Sequence, residues 1–218
     1  MQVKTDHISW LGHASFLLTG SRVIYFDPWE VKGPAADLIL ITHDHFDHCD
    51  PPTIRALLGP QTSIITEPSS AARLKEEGFK RLTIMAPGEE IEVLGVAIKA
   101  VPAYNTNKEF HPRAKNYLGF IVTLDGLSCY HAGDTDRIEE MKKIKAQVAL
   151  LPVSGTYVMT AEEAVMGALD MEAELAIPMH FGKIVGDEEM AKAFAAALES
   201  RLAVEIKPII KIPGHLRT

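Results

Sequence analysis

The chain has 218 residues, 47% apolar and 23% charged, with a formal charge of −7. Such a length and balance suit a soluble globular protein with one substantial core, so a single domain over 1–218 is expected. The acidic balance argues against nucleic acid as a principal partner, because binding a phosphate backbone needs a basic footprint. No stretch reaches the roughly 18 uninterrupted apolar residues of a membrane span. The opening Met1-Gln2-Val3-Lys4-Thr5-Asp6-His7 has no apolar signal segment, so a cytoplasmic protein without membrane contact is expected. Two cysteines, Cys49 and Cys129, suit a reducing compartment.

Short apolar runs predict strands near 8–18, 22–26, 37–42, 62–66, 82–85, 90–101, 117–124, 127–131, 148–153, 175–180 and 204–210. The early strands follow one another as hairpins and the later ones alternate with helical patterns. That order predicts two mixed sheets packed face to face with helices outside, an α/β architecture. Thr160-Ala161-Glu162-Glu163 reads as a capping box opening one helix. Asp187-Glu188-Glu189 opens another, with Met190, Phe194 and Leu198 as its buried stripe. Gly12-His13 marks a turn or edge in the first apolar stretch, where His13 packs or supports a site from its mouth. His7 and His215, near the termini and without neighbouring ligand types, read as surface histidines.

Directly after the near-continuous apolar segment Leu38 to Ile41 comes Thr42-His43-Asp44-His45-Phe46-Asp47-His48. A strand alone would point His43, His45 and Asp47 to one side, so His48 joins them only if the chain turns there. Neutral imidazole and carboxylate are ligands for zinc, manganese, iron or nickel, and no cysteine stands where a closed thiolate cage would need it. An open catalytic site is therefore favoured over a structural one. Cys49, next to the motif, is a reactive thiol, an accidental ligand or a small buried residue, the last being the usual fate of a free cysteine.

Three later polar clusters also end apolar runs: Tyr104-Asn105, His131-Ala132-Gly133-Asp134-Thr135 and Met179-His180-Phe181-Gly182. Strand ends in layered α/β proteins are where loops converge above a rigid sheet. The loop Pro152 to Met159 belongs to the same face and offers Thr156 and Tyr157 as substrate contacts. The polar connection Asn105 to Asn116 carries Lys108 and Arg113, candidates for gripping an anionic substrate group. Asp27, before Pro28, either supports a ligand or is an ordinary turn aspartate.

In the order HDHFDH, HAGDT, PMHFG, with WLGHASF and YFDP before them, the chain resembles the metallo-β-lactamase superfamily. Within it, the likeness is to small metal-dependent hydrolases similar to L-ascorbate-6-phosphate lactonase, and it runs from about Ile8 to about Gly182. The resemblance implies a four-layered αββα sandwich. It implies two divalent ions, the first on His43 and His45, the second on Asp47, His48 and His180, with Asp134 bridging them at a separation of roughly 3.5 to 4 Å. Where the superfamily usually supplies a third histidine to the first ion, this chain has Pro102-Ala103-Tyr104-Asn105. Asn105 or His111 completes that site, or the site is loosened there and Asn105 orients a water or a substrate oxygen. His131 is expected to support catalysis by orienting Asp134 or a metal-bound imidazole.

The function implied is hydrolysis. Two ions hold a water, lower its pKa and present hydroxide to the carbonyl or phosphorus of a lactone, ester or phosphodiester small molecule, with Asp47 also available for proton transfer. A substrate with an anionic group and a homo-oligomeric assembly are both compatible with this. Two other readings are a non-catalytic metal-binding protein and an iron-dependent oxidoreductase on the same fold, although di-iron members usually carry a glutamate where His45 stands.

Overall fold

The computed structural model describes residues 3–212. Its first sheet takes strands in chain order: β1 (Ile8–Gly12), β2 (Ser15–Thr19), β3 (Val23–Phe26), β4 (Ala36–Ile41), β5 (Leu58–Thr66) and β6 (Leu82–Ile84). β1, β2 and β3 pair antiparallel, and β3 to β6 pair parallel. The helices α1 (Pro51–Leu57) and α2 (Pro68–Glu76) make the crossovers from β4 to β5 and from β5 to β6, and a loop makes the one from β3 to β4, since parallel neighbours cannot be joined by a tight hairpin.

The second sheet begins as an antiparallel meander: β7 (Glu90–Val93), β8 (Val96–Pro102), β9 (Leu118–Leu124) and β10 (Leu127–His131). It continues parallel through β11 (Val148–Pro152), β12 (Leu175–Met179) and β13 (Ala203–Val204). Helices α3 (Ala161–Asp170) and α4 (Glu188–Leu198) connect these last strands.

Alternation along β4 shows how the layers arise. Leu38 and Leu40 point between the sheets, into one cluster with Ile98, Phe120 and Val122 of the second sheet. Ile39 and Ile41 point the other way, onto Ile54 and Leu57 of α1 and Leu74 of α2. A strand covered on both faces reads as an unbroken apolar run, which is what Leu38 to Ile41 is. On the far side α3 packs on β11 and α4 on β12, with Phe194 and Leu198 fully buried and Met190 half-buried. The result is the expected αββα sandwich of two mixed sheets.

Three expected strands differ in detail. The stretch 8–18 is a hairpin, because Gly12 (φ 108°) and His13 (φ 53°) are left-handed and reverse the chain. The stretch 90–101 is also a hairpin, turning at Leu94-Gly95. Of 204–210 only Val204 belongs to a strand. Beyond it, Glu205 N donates to Ala176 O in one sheet and Ile210 N to Trp10 O in the other, so the segment laces the two sheets instead of extending one. His215 lies outside the described residues.

Candidate metal centre

The carboxyl ends of β3, β4, β8, β10 and β12 open at one rim, and the polar clusters gather there. After β4 the chain turns at once: His48 N and Cys49 N both donate to His45 O. This turn swings Asp47 and His48 back beside His43. From the second sheet, the loop after β10 brings Asp134 and the end of β12 brings His180. His180 has φ 62°, as His13 and Asp27 are also left-handed. Non-glycine residues in this conformation are uncommon and cost free energy, and these three lie together around the cluster.

The Asp134 carboxylate is the centre of the arrangement. Its Oδ1 is 3.3 Å from His48 Nε2, and its Oδ2 is 3.1 Å from His180 Nε2, 3.3 Å from His111 Nε2 and 4.0 Å from His43 Nε2. Ligand atoms form one group from His43, His45 and His111, and a second from His13, Asp47, His48 and His180. His45 Nδ1 faces His111 Nε2 at 3.2 Å. Asp134 stands between the two groups.

Four imidazoles have Nδ1 tied from behind, which turns Nε2 toward the centre. His48 Nδ1 lies 2.8 Å from Asp27 Oδ2, whose carboxylate also accepts from Thr42 N and Oγ1. Because Thr42 Oγ1 donates to Asp27, it is left to accept from His43 Nδ1 at 2.9 Å. His180 Nδ1 lies 3.0 Å from Ser154 Oγ, and His111 Nδ1 donates to Asn105 Oδ1 at 3.1 Å. Such partners fix tautomer and ring orientation at metal sites. They leave His43, His48 and His180 Nε2 and Asp134 Oδ1 buried without hydrogen-bond partners.

Electrostatics follow from this crowding. Burial pushes His43 well below the ordinary imidazole range, helped by the charge of His48, and pushes His111 down to about 4. Burial also opposes charge on His48, but Asp134 and Asp27 outweigh it and hold that imidazole well above its usual value. Asp134 is held well below the carboxylate range against its own burial by His180 and His48. Against the same penalty, the hydrogen bond from His13 Nε2 at 2.9 Å and the charge of His48 hold Asp47 at about 2. Nitrogen and carboxylate oxygen donors of this kind, without thiolate, fit a divalent transition ion. Cys49 packs on the outer face of the first sheet, its thiol pushed up to about 12 by burial, and contributes no ligand.

The loop after β8 places Asn105 and His111 differently. His111, not Asn105, stands with His43 and His45, and Asn105 is a support. Its Oδ1 accepts from both His111 N and Nδ1, while its amide nitrogen donates to Asp136 Oδ1 and Tyr157 O. An amide able to accept and donate suits this linking position better than metal ligation. The expectation for His131 is corrected. Its ring is stacked on Phe26 between the sheets, with Nε2 donating to Ala14 O and Nδ1 accepting from Gly133 N. It touches neither the Asp134 carboxylate nor a clustered imidazole, and shapes only the backbone leading to Asp134.

A cavity of about 470 Å³ opens over the cluster, lined by Asp44, His45, Phe46, Asp47, Phe110, His111, Asp134, Tyr157 and Ile184. Of the expected substrate contacts, Tyr157 lines it. Thr156 is exposed and is not among the lining residues. Lys108 is turned to Asp136 at 2.6 Å, and Arg113 to Glu140 at 2.9 Å, so neither cation faces the cavity. His7 is exposed.

Sequence reasoning did not single out Asp136, Ser154, Thr42 or Tyr117 in these roles. Asp136 is fully buried and accepts from Asn105, Thr106 N and Lys108, gathering the loop that carries His111. Tyr117 OH donates to Asp44. The buried Thr42 and Asp136 flank the HDHFDH and HAGDT motifs, but only the fold reveals their partners.

Comparison with known proteins agrees with this geometry. The model of the beta-lactamase superfamily domain matches residues 7–180. A UPF0173 metal-dependent hydrolase from Methanoregula boonei is 36% identical, over 88% of this chain and 90% of its own. A Parabacteroides distasonis crystal structure, provisionally named a metal-dependent hydrolase, shares 34% identity with a TM-score of 0.82, covering 92% of this chain and 91% of that one. Igni18, a metallo hydrolase from Ignicoccus hospitalis, shares 25% identity with a TM-score of 0.74 and covers 95% of both chains. With motifs, layered fold and relatives in agreement, the chain belongs to the metallo-β-lactamase superfamily.

Proposed function

We propose that this chain is a binuclear metal-dependent hydrolase of a lactone, ester or phosphodiester small molecule. The observation that supports it most is the convergence of His43, His48 and His180 Nε2 with Asp134 Oδ1, all buried and unpartnered, beside an open cavity. Each such atom costs about 1–3 kcal/mol if left unpaired, a cost that ligation of a cation offsets. The names of the relatives, metal-dependent hydrolases, are consistent with this reading. Two buried free thiols support a reducing, cytoplasmic setting, and the acidic charge supports a small-molecule substrate over nucleic acid.

In this reading His43, His45 and His111 would hold one ion and Asp47, His48 and His180 the other, with Asp134, which stands between the two groups, available to both. Divalent ions bound there supply Lewis acidity that lowers the pKa of water toward neutrality and polarises a carbonyl or phosphoryl oxygen. Thr42, Asp27, Ser154 and Asn105 keep Nε2 of the four imidazoles aimed inward, so little rearrangement of the rings would accompany binding. Asp47 lines the cavity with Oδ2 anchored by His13 Nε2, placed to take a proton and return it to a leaving group.

The test is turnover of a model lactone or bis-ester, lost on chelation and restored by a divalent ion. Asp134→Ala is expected to lose the second equivalent of metal and to lower kcat/KM by at least about 10²–10³-fold. Wild-type-like turnover by that variant overturns the proposal.

A further inference from the structure

We infer that the substrate carries an uncharged, apolar substituent beside its reacting group, as in an alkyl- or aryl-substituted lactone or ester, and is not a phosphorylated or carboxylated one. This inference rests on the hydrolase reading and names the substrate class for the same site.

The cavity has a polar floor of His45, Asp47, His111 and Asp134 and an apolar wall of Phe46, Phe110, Tyr157 and Ile184. Phe46, Phe110 and Ile184 are 61%, 49% and 41% exposed, placing three of the nine exposed large apolar side chains among the described residues around one opening. The two phenylalanines are braced: Phe46 meets Trp29 edge-on at 5.8 Å between centroids, and Phe110 meets Tyr157 edge-on at 4.7 Å. Exposed apolar groups gathered over a few convergent polar ones mark a ligand site, and covering them with an apolar substituent removes that surface from water.

Charge points the same way. The lining includes the carboxylates of Asp44, Asp47 and Asp134 and, among the described residues, neither lysine nor arginine. The surrounding loops do carry cations, the exposed Lys115 among them, but none lines the cavity and three are engaged. Lys108 is on Asp136, Arg113 is on Glu140, and Lys183 is on Glu30 at 2.9 Å with its Nζ 3.5 Å from the centre of the Trp29 ring. A second anionic group, held away from the metal ligands, meets aromatic rings and carboxylates instead of a partner.

The test uses the full-length, metal-reconstituted protein and three γ-lactams, which resist hydrolysis: unsubstituted, 5-pentyl and 5-carboxyethyl. Their affinities are measured by calorimetric titration, and turnover is measured on the matching lactones. The pentyl lactam is expected to bind at least about tenfold tighter than either of the others, since each methylene taken from water contributes about two- to fourfold. Turnover of the lactones follows the same order. Phe46→Ala with Phe110→Ala reduces the preference to about threefold or less; Ile184→Ser, a single smaller side chain, reduces it by a smaller factor.

Equal binding of the three lactams, or tightest binding of the carboxylate, overturns the inference. So does a preference unchanged in the phenylalanine variants, or a dimer that Phe110→Ala dissociates while the lactams bind alike. Binding in the expected order without turnover of any lactone sustains the apolar mouth and defeats lactone hydrolysis, which separates the two claims.

Discussion

Asn105 Oδ1 accepts from the main chain of His111 at 2.9 Å and from its ring at 3.1 Å, so a single amide sets where that imidazole points. Asn105→Ala is predicted to weaken metal binding at the proposed His43, His45 and His111 site by about 10- to 100-fold and to leave affinity at the other proposed site nearly unchanged. Competition with a chromophoric chelator measures both constants, and equal weakening of the two counts against the assignment. Residues of this kind divide by how far their partners lie along the chain. His43, His45, Asp47 and His48 meet within one short turn, so their gathering is legible in HDHFDH. His111 is less so, because it lies six positions beyond Asn105 and only the folded loop, gathered on the buried Asp136, brings it back. His131 misleads for the same reason. It stands beside HAGDT in sequence, yet its ring points between the sheets to Ala14 O.

Helix α3 begins with a reciprocal cap: Thr160 Oγ1 accepts from Glu163 N at 3.1 Å, and Glu163 Oε2 accepts from Thr160 N at 2.9 Å. Thr160→Ala is predicted to cost about 1 kcal/mol of stability, read as a lower urea midpoint with an unchanged slope; a shift indistinguishable from zero would show that packing alone defines the helix start. Such caps, and the Met190, Phe194, Leu198 stripe of α4, depend on neighbours within one turn and are legible without the fold. Strand boundaries are less so. Apolar character runs through 8–18 and 90–101 alike, and the breaks come from left-handed residues, Gly12-His13 and Leu94-Gly95. The segment after Val204 is apolar enough for a strand, but its backbone groups are divided between two sheets.

At the scale of the whole molecule, the centre is where the two sheets are joined. His43, His45, Asp47 and His48 come from the first sheet, and His111, Asp134 and His180 from the second, so the ions proposed there would bind only when both sheets are docked. A ligand confined to the native state stabilises it by about 4 kcal/mol at a thousandfold excess over Kd, about 8–16 °C in Tm for a domain of this size. Chelation is therefore predicted to lower Tm by that order in the wild type and far less in Asp134→Ala; equal Tm values with and without chelator would show that no ion bridges the sheets. The most direct test of the central claim is the metal content per chain of protein purified without added metal or chelator, by inductively coupled plasma mass spectrometry. About two equivalents are predicted. One or none, not raised by reconstitution, contradicts a binuclear centre.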